Sequence, residues 1–305
     1  MKSPLPTRNG ISPSYLWLPE GNWATILDFL VERFPHIDRD TWEYRLQQDG
    51  IMNEQGVLYR PDTPYVGGER MFYYRQLEKE TKIPFQETIL FQNDHFIVVD
   101  KPHFLPVAPA GKYLHETLLV RLKKRFNMDF ITPMHRIDRE TAGVILFSKN
   151  PETRGLYQVM FQERKMHKTY QAIAPRLPHI DFPYTHESRM VKSTPFFCMK
   201  EVDGEPNAKT YIDCIETRGD LARYHLEPVS GKQHQLRVHL ASLGAAILND
   251  SFYPEVLPEK EEEDFKNPLQ LLAKSIAFVD PITGQDCYFE SQRKLDFPVG
   301  EKTDG

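Results

Sequence analysis

The residues best suited to chemistry lie within Met134 to Asn150, where an aspartate stands between two arginines. Asp138 is that aspartate, and Arg136 and Arg139 flank it. The apolar run that follows, Val144 to Phe147, predicts a buried strand. A carboxylate held among cations at the entrance of a strand can serve as a nucleophile, but the same pattern is typical of a structural ion-pair corner. The local sequence leaves both interpretations open.

The run from residue 135 to residue 143 carries a resemblance to a known family. It reads His-Arg-Ile-Asp-Arg-Glu-Thr-Ala-Gly, and it resembles the signature His-Arg-Leu-Asp-Arg-x-Thr-Ser-Gly of the RluA-type family of RNA pseudouridine synthases. The two departures, Ile137 and Ala142, are small and leave the aspartate unchanged.

Two further runs match the same family in the same order along the chain. Lys168, Tyr170 and Ala172 match its motif Lys-x-Tyr-x-Ala. Residues 231–240 match Gly-Arg-x-His-Gln-Ile-Arg-Val-His-Leu, with Lys232 in place of Arg and Leu236 in place of Ile. Three motifs in the right order argue against coincidence.

Weaker matches flank these motifs. Residues 249–253 match the family's Gly-Asp-x-x-Tyr without its Gly, and residues 96–102 match its opening strand with Asp100 in place of Asn. Leu272 stands in the closing strand where the family usually has His. The resemblance covers about residues 89 to 290.

The resemblance implies that this chain converts uridine to pseudouridine in structured RNA, either ribosomal or transfer RNA. The reaction breaks the N1–C1′ bond, turns the base over and rejoins it through C5. By resemblance, Asp138 is the nucleophile or electrostatic base, Arg237 keeps its carboxylate charged, and Tyr170 stacks on the extruded base. Stacking recovers about 1–3 kcal/mol per base against an extrusion cost of a few kcal/mol. The Tyr170 hydroxyl is also a candidate for taking the C5 proton.

A wider set of residues is expected to bind the RNA. Arg136 is expected to face the nucleic acid and fill the gap left by the target base, and Leu236 to form the wall opposite Tyr170. His135 and His234 are weaker candidates for a general base, since no metal or triad partner is spaced to use them. The predicted substrate-binding residues are His135, Arg136, Arg139, Thr141, Lys168, Lys232, His234 and Leu236.

The sequence carries no sign of a cofactor. It has no P-loop, no dinucleotide-binding fingerprint and no metal-ligand spacing, and its three cysteines lie far apart. We expect neither a metal nor a nucleotide cofactor, in agreement with a reaction that needs no redox equivalent or phosphate donor. No apolar run reaches membrane-spanning length, and no signal-peptide pattern is present. We therefore expect a monomer in the cytoplasm, without a membrane partner.

Charge is unevenly distributed along the chain. The net charge is −5, yet residues 111–176 contain 13 Lys and Arg against 6 Asp and Glu. Residues 255–264 contain 6 acids and one Lys. A basic RNA groove with an acidic back would produce this polarity, and so would an ordinary solvated surface.

The resemblance implies an α+β fold, with a mixed, largely antiparallel central sheet, flanking helices and a central cleft. Asp138, Tyr170 and Arg237 are expected to converge in that cleft. A small α/β module is expected to precede the catalytic domain. The predicted domains are an arm at 1–22, the module at 23–77, a linker at 78–88, the catalytic domain at 89–295 and a tail at 296–305.

The module at 23–77 resembles the S4-type RNA-binding module in its order of helix, helix, glycine and hairpin. Asn22 is the expected cap of its first helix, and Asp38 or Asp40 that of its second. Residues 37–50 carry two Arg against four acids, so the module has the expected shape without the basic face that RNA contact requires. The preceding arm, rich in proline, is expected to have little structure of its own.

Apolar spacing predicts the local structure around the motifs. It indicates a helix over residues 113–126 and a second helix capped by Asn150. Leu156, Val159, Met160 and Phe161 are expected on the buried side of the second helix. Residues 182–194 are expected to form a loop.

Two alternatives from other classes stay open. A catalytically weak RNA-binding or chaperone protein could use the same scaffold, but the intact Asp, Arg and Tyr set argues against it. A carboxylate-dependent glycoside or nucleoside hydrolase would need a second acid to protonate the leaving group. Glu140 is the nearest candidate for that acid.

Overall fold

The computed structural model describes residues 3–77, 79–258 and 264–298. The chain forms two compact units, of which the first comprises Met1–Glu80, Pro109–His115 and Val120–Asp129, and the second Thr81–Ala108, Glu116–Leu119 and Phe130–Gly305. Two segments that the sequence assigns to the catalytic domain, 109–115 and 120–129, therefore belong to the first unit. Parts of the acidic stretch 255–264 and of the predicted tail lie outside the described residues.

Five helices and thirteen strands are present in the described part of the chain. The helices are α1 Ile26–Arg33, α2 Arg39–Gln48, α3 Leu118–Phe126, α4 Arg154–Gln162 and α5 Gln235–Ser242. The strands are β1 Ser14–Trp17, β2 Arg70–Tyr73, β3 Thr88–Gln92, β4 Phe96–Lys101, β5 Thr132–Pro133, β6 Ala142–Ser148, β7 His167–Pro175, β8 Tyr184–Lys192, β9 Met199–Val202, β10 Ala208–Arg218, β11 Leu221–Pro228, β12 Leu271–Val279 and β13 Asp286–Glu290. Within the ranges described, none of the helices combines the length and apolar character needed to cross a membrane.

The second unit is built on one large mixed sheet. Its strands lie in the order β3-β4-β6-β12-β7-β11-β10-β8-β9, with β13 paired to β12 and β5 to β6. Among the described strands only β6 and β12 pair in parallel, and all other neighbours are antiparallel. The prediction of an α+β fold with a mixed, largely antiparallel sheet is confirmed.

Strand β6 fixes the position of the signature run. All seven of its residues are buried, as the apolar run predicts, and it lies between β4 and β12. Where β6 meets β12, Gly143 has a φ of +113°, and a Cβ at this position would lie 2.1 Å from the carbonyl oxygen of Ala273. Glycine is therefore required by the close approach of the two backbones.

The first unit contains the two predicted helices, with one corrected start. Helix α1 begins after Thr25 rather than Asn22, because Thr25 and Asp28 form a capping box. Helix α2 begins after Asp38, one of the two caps predicted, and the Asp38 carboxylate accepts the N–H of Thr41.

The N-terminal arm was expected to have little structure of its own, and for residues 14–17 this expectation is wrong. Ser14–Trp17 pairs with Arg70–Tyr73 in a two-stranded antiparallel sheet, which satisfies the backbone of this part of the arm. The likeness of the first unit to the S4-type module stays a prediction.

Three local predictions for the region around the motifs are wrong in whole or in part. Helix α3 begins at Leu118, since the N–H groups of Leu118 and its neighbour donate to the carbonyls of residues 106 and 107 instead of to a helix begun at residue 113. In α4, Leu156 and Val159 are exposed, whereas Met160 is buried as predicted and shares its apolar cluster with Tyr157. Residues 184–192 form strand β8 rather than a loop.

Candidate active site

A cleft of about 960 Å³ opens in the second unit. Ten of the eleven residues predicted from the sequence line it: Asp138, Tyr170, Arg237, Arg136, His135, Thr141, Lys168, Lys232, His234 and Leu236. Arg139 does not line the cleft, because its Nε donates to the carbonyl of Phe104 at 3.1 Å.

Asp138 meets Arg237 in this cleft. The Nη1 of Arg237 donates to Oδ2 of Asp138 at 3.1 Å, which brings the segment before β6 against helix α5. The guanidinium side chain is 1% exposed, whereas the carboxylate is 27% exposed. The cation is thus part of the protein interior, and the carboxylate faces the cleft.

A second carboxylate, Asp250, holds the Arg237 guanidinium in place. Arg237 donates to its two oxygens through Nε at 2.8 Å and Nη2 at 2.7 Å, in a bidentate pair. Asp250 also accepts the backbone N–H groups of Phe252 and Tyr253. Burial alone would lower the pKa of Arg237, but the hydrogen bonds and charge of Asp250, with the charge of Asp138, raise it above its ordinary value.

Asp250 was not among the predicted site residues. Its only signal was the match of residues 249–253 to a short family motif, which gave it no role. Its role depends on a tertiary contact with Arg237 of α5, which sequence spacing does not reveal.

His234 lies at the start of α5 and also borders Asp138. Its φ of +55° is left-handed, and its Nε2 lies 3.7 Å from Oδ1 of Asp138. Its Nδ1 lies 2.8 Å from the hydroxyl oxygen of Tyr253. Burial lowers the pKa of His234 despite the opposing charge of Asp138, so the ring is neutral at pH 7 and adds no second cation beside the carboxylate.

Tyr170 borders the same cleft from strand β7. Burial, and then the charge of Asp138, raise the pKa of its hydroxyl, so the phenol is protonated at neutral pH. Leu236 belongs to the buried cluster against which Tyr170 packs. An uncharged aromatic ring beside the carboxylate is suited to stacking on a base.

Cations occupy the cleft lining outside this centre. Arg136, Arg164 and Lys232 are exposed there, while burial lowers the pKa of Lys168. The exposed groups can contact phosphate without the desolvation cost of a buried charge.

His135 and Thr141 hold the signature segment as well as lining the cleft. Nε2 of His135 accepts the N–H of Leu146 at 3.2 Å, and burial lowers the pKa of this ring to about 3. The N–H of Thr141 donates to the carbonyl of Asp138 at 3.2 Å and closes a turn directly after the carboxylate. Both contacts fix the backbone from which Asp138 projects.

Lys101 is a further positioning residue that the prediction did not include. It is fully buried, and its Nζ donates to the carbonyls of Pro102, Leu105 and Arg139, each at 2.9 Å. Burial lowers its pKa to about 7. Lys101 is far from Asp138 in the sequence and reaches the signature run only through its hydrogen bond to the carbonyl of Arg139. Its sequence position therefore gave no indication of this contact.

Comparison with known proteins identifies the family. The family model for RNA pseudouridylate synthase matches residues 95–242, which contain the signature run and all of α5. The dual-specificity RNA pseudouridine synthase RluA of Haemophilus influenzae is 29% identical over 214 residues, 68% of this chain and 93% of that protein. The chain belongs to the RluA-type family of RNA pseudouridine synthases.

Other members of the family differ in how much of their length the chain covers. An uncharacterized RNA pseudouridine synthase of Synechocystis is 28% identical over 234 residues, 75% of this chain and 79% of that protein. Matches to three eukaryotic synthases cover only 31%, 30% and 36% of those longer proteins.

The solved structure of human RNA pseudouridylate synthase domain containing 1 shares the fold. It has a TM-score of 0.56 at 22% identity and covers 70% of this chain and 86% of that one. By family, the chain is a pseudouridine synthase, which is an isomerase.

Proposed function

We propose that this synthase isomerises specific uridines in structured RNA with Asp138 as the nucleophile. The observation that carries the proposal is the ion pair between the Asp138 carboxylate and the buried Arg237 guanidinium, 3.1 Å apart. It provides a negative oxygen in the cleft with its counter-charge built into the protein.

The proposed steps conserve atoms and electrons. An oxygen of Asp138 bonds to C1′ as the N1–C1′ bond breaks, and the electron pair of that bond goes to N1 of uracil. The base turns over, and C5 bonds to C1′ as the carboxylate leaves with its electron pair. The C5 proton passes to solvent, and N1 takes a proton in exchange.

Tyr170 and the surrounding cations are assigned to binding. The neutral ring of Tyr170 stacks on the extruded base, and its raised pKa favours this role over that of a phenolate base. Arg136, exposed on the cleft, fills the gap that the base leaves in the RNA. Arg164 and Lys232 contact phosphates.

The substrate is proposed to be transfer RNA or ribosomal RNA. Relatives from yeast and Vibrio parahaemolyticus are named as tRNA pseudouridine synthases, which supports transfer RNA. Cytoplasmic location and a monomeric state stay predictions, and one yeast relative is named as mitochondrial.

The test is release of tritium from RNA labelled at uridine C5. The wild type should release label from total cellular RNA, and Asp138→Asn should abolish release while RNA binding persists. Glu140→Gln is the matched control, since Glu140 is the neighbouring acid and does not line the cleft. It should retain release within a few fold.

Other outcomes would contradict the proposal or favour an alternative function. Undiminished release by Asp138→Asn would remove the nucleophile assignment. Free uracil as the product, together with loss of activity in Glu140→Gln, would indicate a hydrolase. RNA binding without any label release by the wild type would indicate a binding protein.

A further inference from the structure

Three metal-ligating side chains meet outside the active-site cleft. His186 of β8, Glu201 of β9 and His239 of α5 each offer a ligand atom within 4.8 Å of the others. None of the three lines the cleft. The Nε2 atoms of His186 and His239 lie 2.9 Å and 3.9 Å from Oε1 of Glu201.

The three side chains are well shielded from solvent. His239 is 0% exposed, His186 13% and Glu201 22%. The cluster therefore offers two imidazoles and a carboxylate in a site that is largely protected from solvent.

His239 brings a second imidazole to the His186–Glu201 pair. Its Nε2 points toward Glu201 but is too distant from Oε1, at 3.9 Å, for a hydrogen bond, and it contacts Ser188 Oγ at 3.2 Å. The His186–Glu201 pair would be complete without this second imidazole, so a simple hydrogen bond does not account for the cluster.

The distances fit a tetrahedral ion. Ligand atoms bound to Zn²⁺ at about 2.0–2.2 Å lie roughly 3.3–3.5 Å apart. The separations of 2.9 Å and 3.9 Å fall on either side of that value, so shifts of about half an ångström would bring each imidazole nitrogen to this distance from the Glu201 oxygen. Two imidazoles with one carboxylate are an established zinc donor set that leaves a fourth position open.

We propose that His186, Glu201 and His239 bind one Zn²⁺ ion, with water or a neighbouring serine hydroxyl as the fourth ligand. The ion would join β8 and β9 to α5, the helix that also carries Arg237. This site does not depend on the assignment of Asp138 as nucleophile.

The experiment uses the untagged full chain, stripped with a chelator and titrated with zinc sulfate against a chromophoric competitor. The wild type should bind one equivalent, and His186→Ala and Glu201→Gln should each weaken binding by about tenfold or more. Glu201→Gln keeps the side-chain shape, which guards against simple unfolding. Circular dichroism checks that each variant is folded.

The exposed pair His225 and Glu227 provides a matched control. Its Nε2–Oε1 distance is 2.8 Å, similar to that of His186 and Glu201, but it has no third donor among the described residues. His225→Ala should leave zinc affinity unchanged. The proposal is overturned if the wild type shows no stoichiometric binding, or if folded His186→Ala and Glu201→Gln bind as tightly as the wild type, as zinc binding to the cysteines would produce.

Discussion

At the scale of single residues, the site depends on one guanidinium shared between two carboxylates. The bidentate pair with Asp250 uses Nε and Nη2 of Arg237 and leaves Nη1 for Asp138. The orientation of Arg237 is therefore set before substrate binds. An arrangement of this kind provides charge stabilisation without reorganisation during the reaction.

Arg237→Lys should lower the rate of tritium release at saturating RNA by about 10²-fold or more, because one ammonium cannot make the fork to Asp250 and also reach Asp138. Single-turnover release measures the rate, and filter binding measures RNA affinity, which should change little. Arg223→Lys is the control, since Arg223 pairs with the more exposed Glu216 at 3.0 Å. Equal rates for the two variants would contradict the assigned role.

His135→Gln should remove part of the acid sensitivity of folding. The folded pKa of His135, about 3, lies below the ordinary 6.5, so the unfolded chain binds more protons between these values. The stability from the neutral ring is complete above pH 6.5 and is lost as pH falls toward 3. At pH 5 the unfolding free energy has fallen by about 2 kcal/mol on this account, because each pH unit below 6.5 costs about 1.4 kcal/mol.

Glutamine can accept the Leu146 N–H but does not titrate. Urea unfolding at pH 7.5 and pH 5.0 should therefore show a fall in unfolding free energy that is about 2 kcal/mol smaller in the variant. The same fall in both proteins would contradict the assignment of the ring as a buried neutral acceptor.

The sequence predicted the residues that line the cleft better than the residues that hold them in place. Asp138, Tyr170 and Arg237 stand in recognisable motifs, and all three line one cleft. Asp250 and Lys101 were missed as site residues because their roles arise from tertiary contacts to α5 and to the carbonyl of residue 139. Motifs record residue types, whereas these contacts depend on how distant segments meet.

At the scale of elements, the parallel pairing of β6 and β12 places the tightest steric limit on the residues of the signature run. Gly143 lies at that pairing, opposite Ala273. The apolar pattern predicted β6 correctly, but it could not predict its partner, because a buried strand looks alike whichever strand lies beside it. The starts of α1 and α3 were mispredicted for a related reason. They depend on the hydrogen bonds that the cap residue Thr25 and the first residue Leu118 make to particular partners.

Gly143→Ala should destabilise the protein by more than about 3 kcal/mol. The new methyl would lie 2.1 Å from the Ala273 carbonyl oxygen, and the backbone conformation would add strain of about 1–3 kcal/mol. Urea unfolding measures the change. Gly155→Ala is the control, because it lies in helix α4 with no heavy atom within 4 Å of the added methyl and should be neutral or stabilising. Equal stability of the two variants would mean that β6 and β12 do not approach this closely.

At the scale of the whole molecule, the fold class was predictable and the division of the chain was not. The resemblance of the motifs to a known family implied the mixed sheet, and the apolar runs predicted some of its strands. The assignment of residues 109–115 and 120–129 to the first unit depends on long-range packing that has no periodic signal. Net charge was similarly uninformative, since a chain of −5 still presents exposed cations in its cleft.

RNA affinity should fall steeply with salt, because cleft cations that neutralise phosphates release condensed counterions. Arg164 and Lys232 are exposed in the cleft lining, so the double variant Arg164→Ala/Lys232→Ala should reduce the slope of log K against log salt by about 2. Titrations in the Asp138→Asn background keep the RNA unmodified.

Lys192→Ala is the matched control for this slope, because Lys192 is exposed at the end of β8 and does not line the cleft. Its slope should equal that of the parent protein if the cleft carries the phosphate contacts. A slope unchanged by the double variant but reduced by Lys192→Ala would place the RNA on another face of the molecule. The phosphate contacts would then be assigned to the cations of that face, since the local arrangement of cations and not the total charge decides where RNA binds.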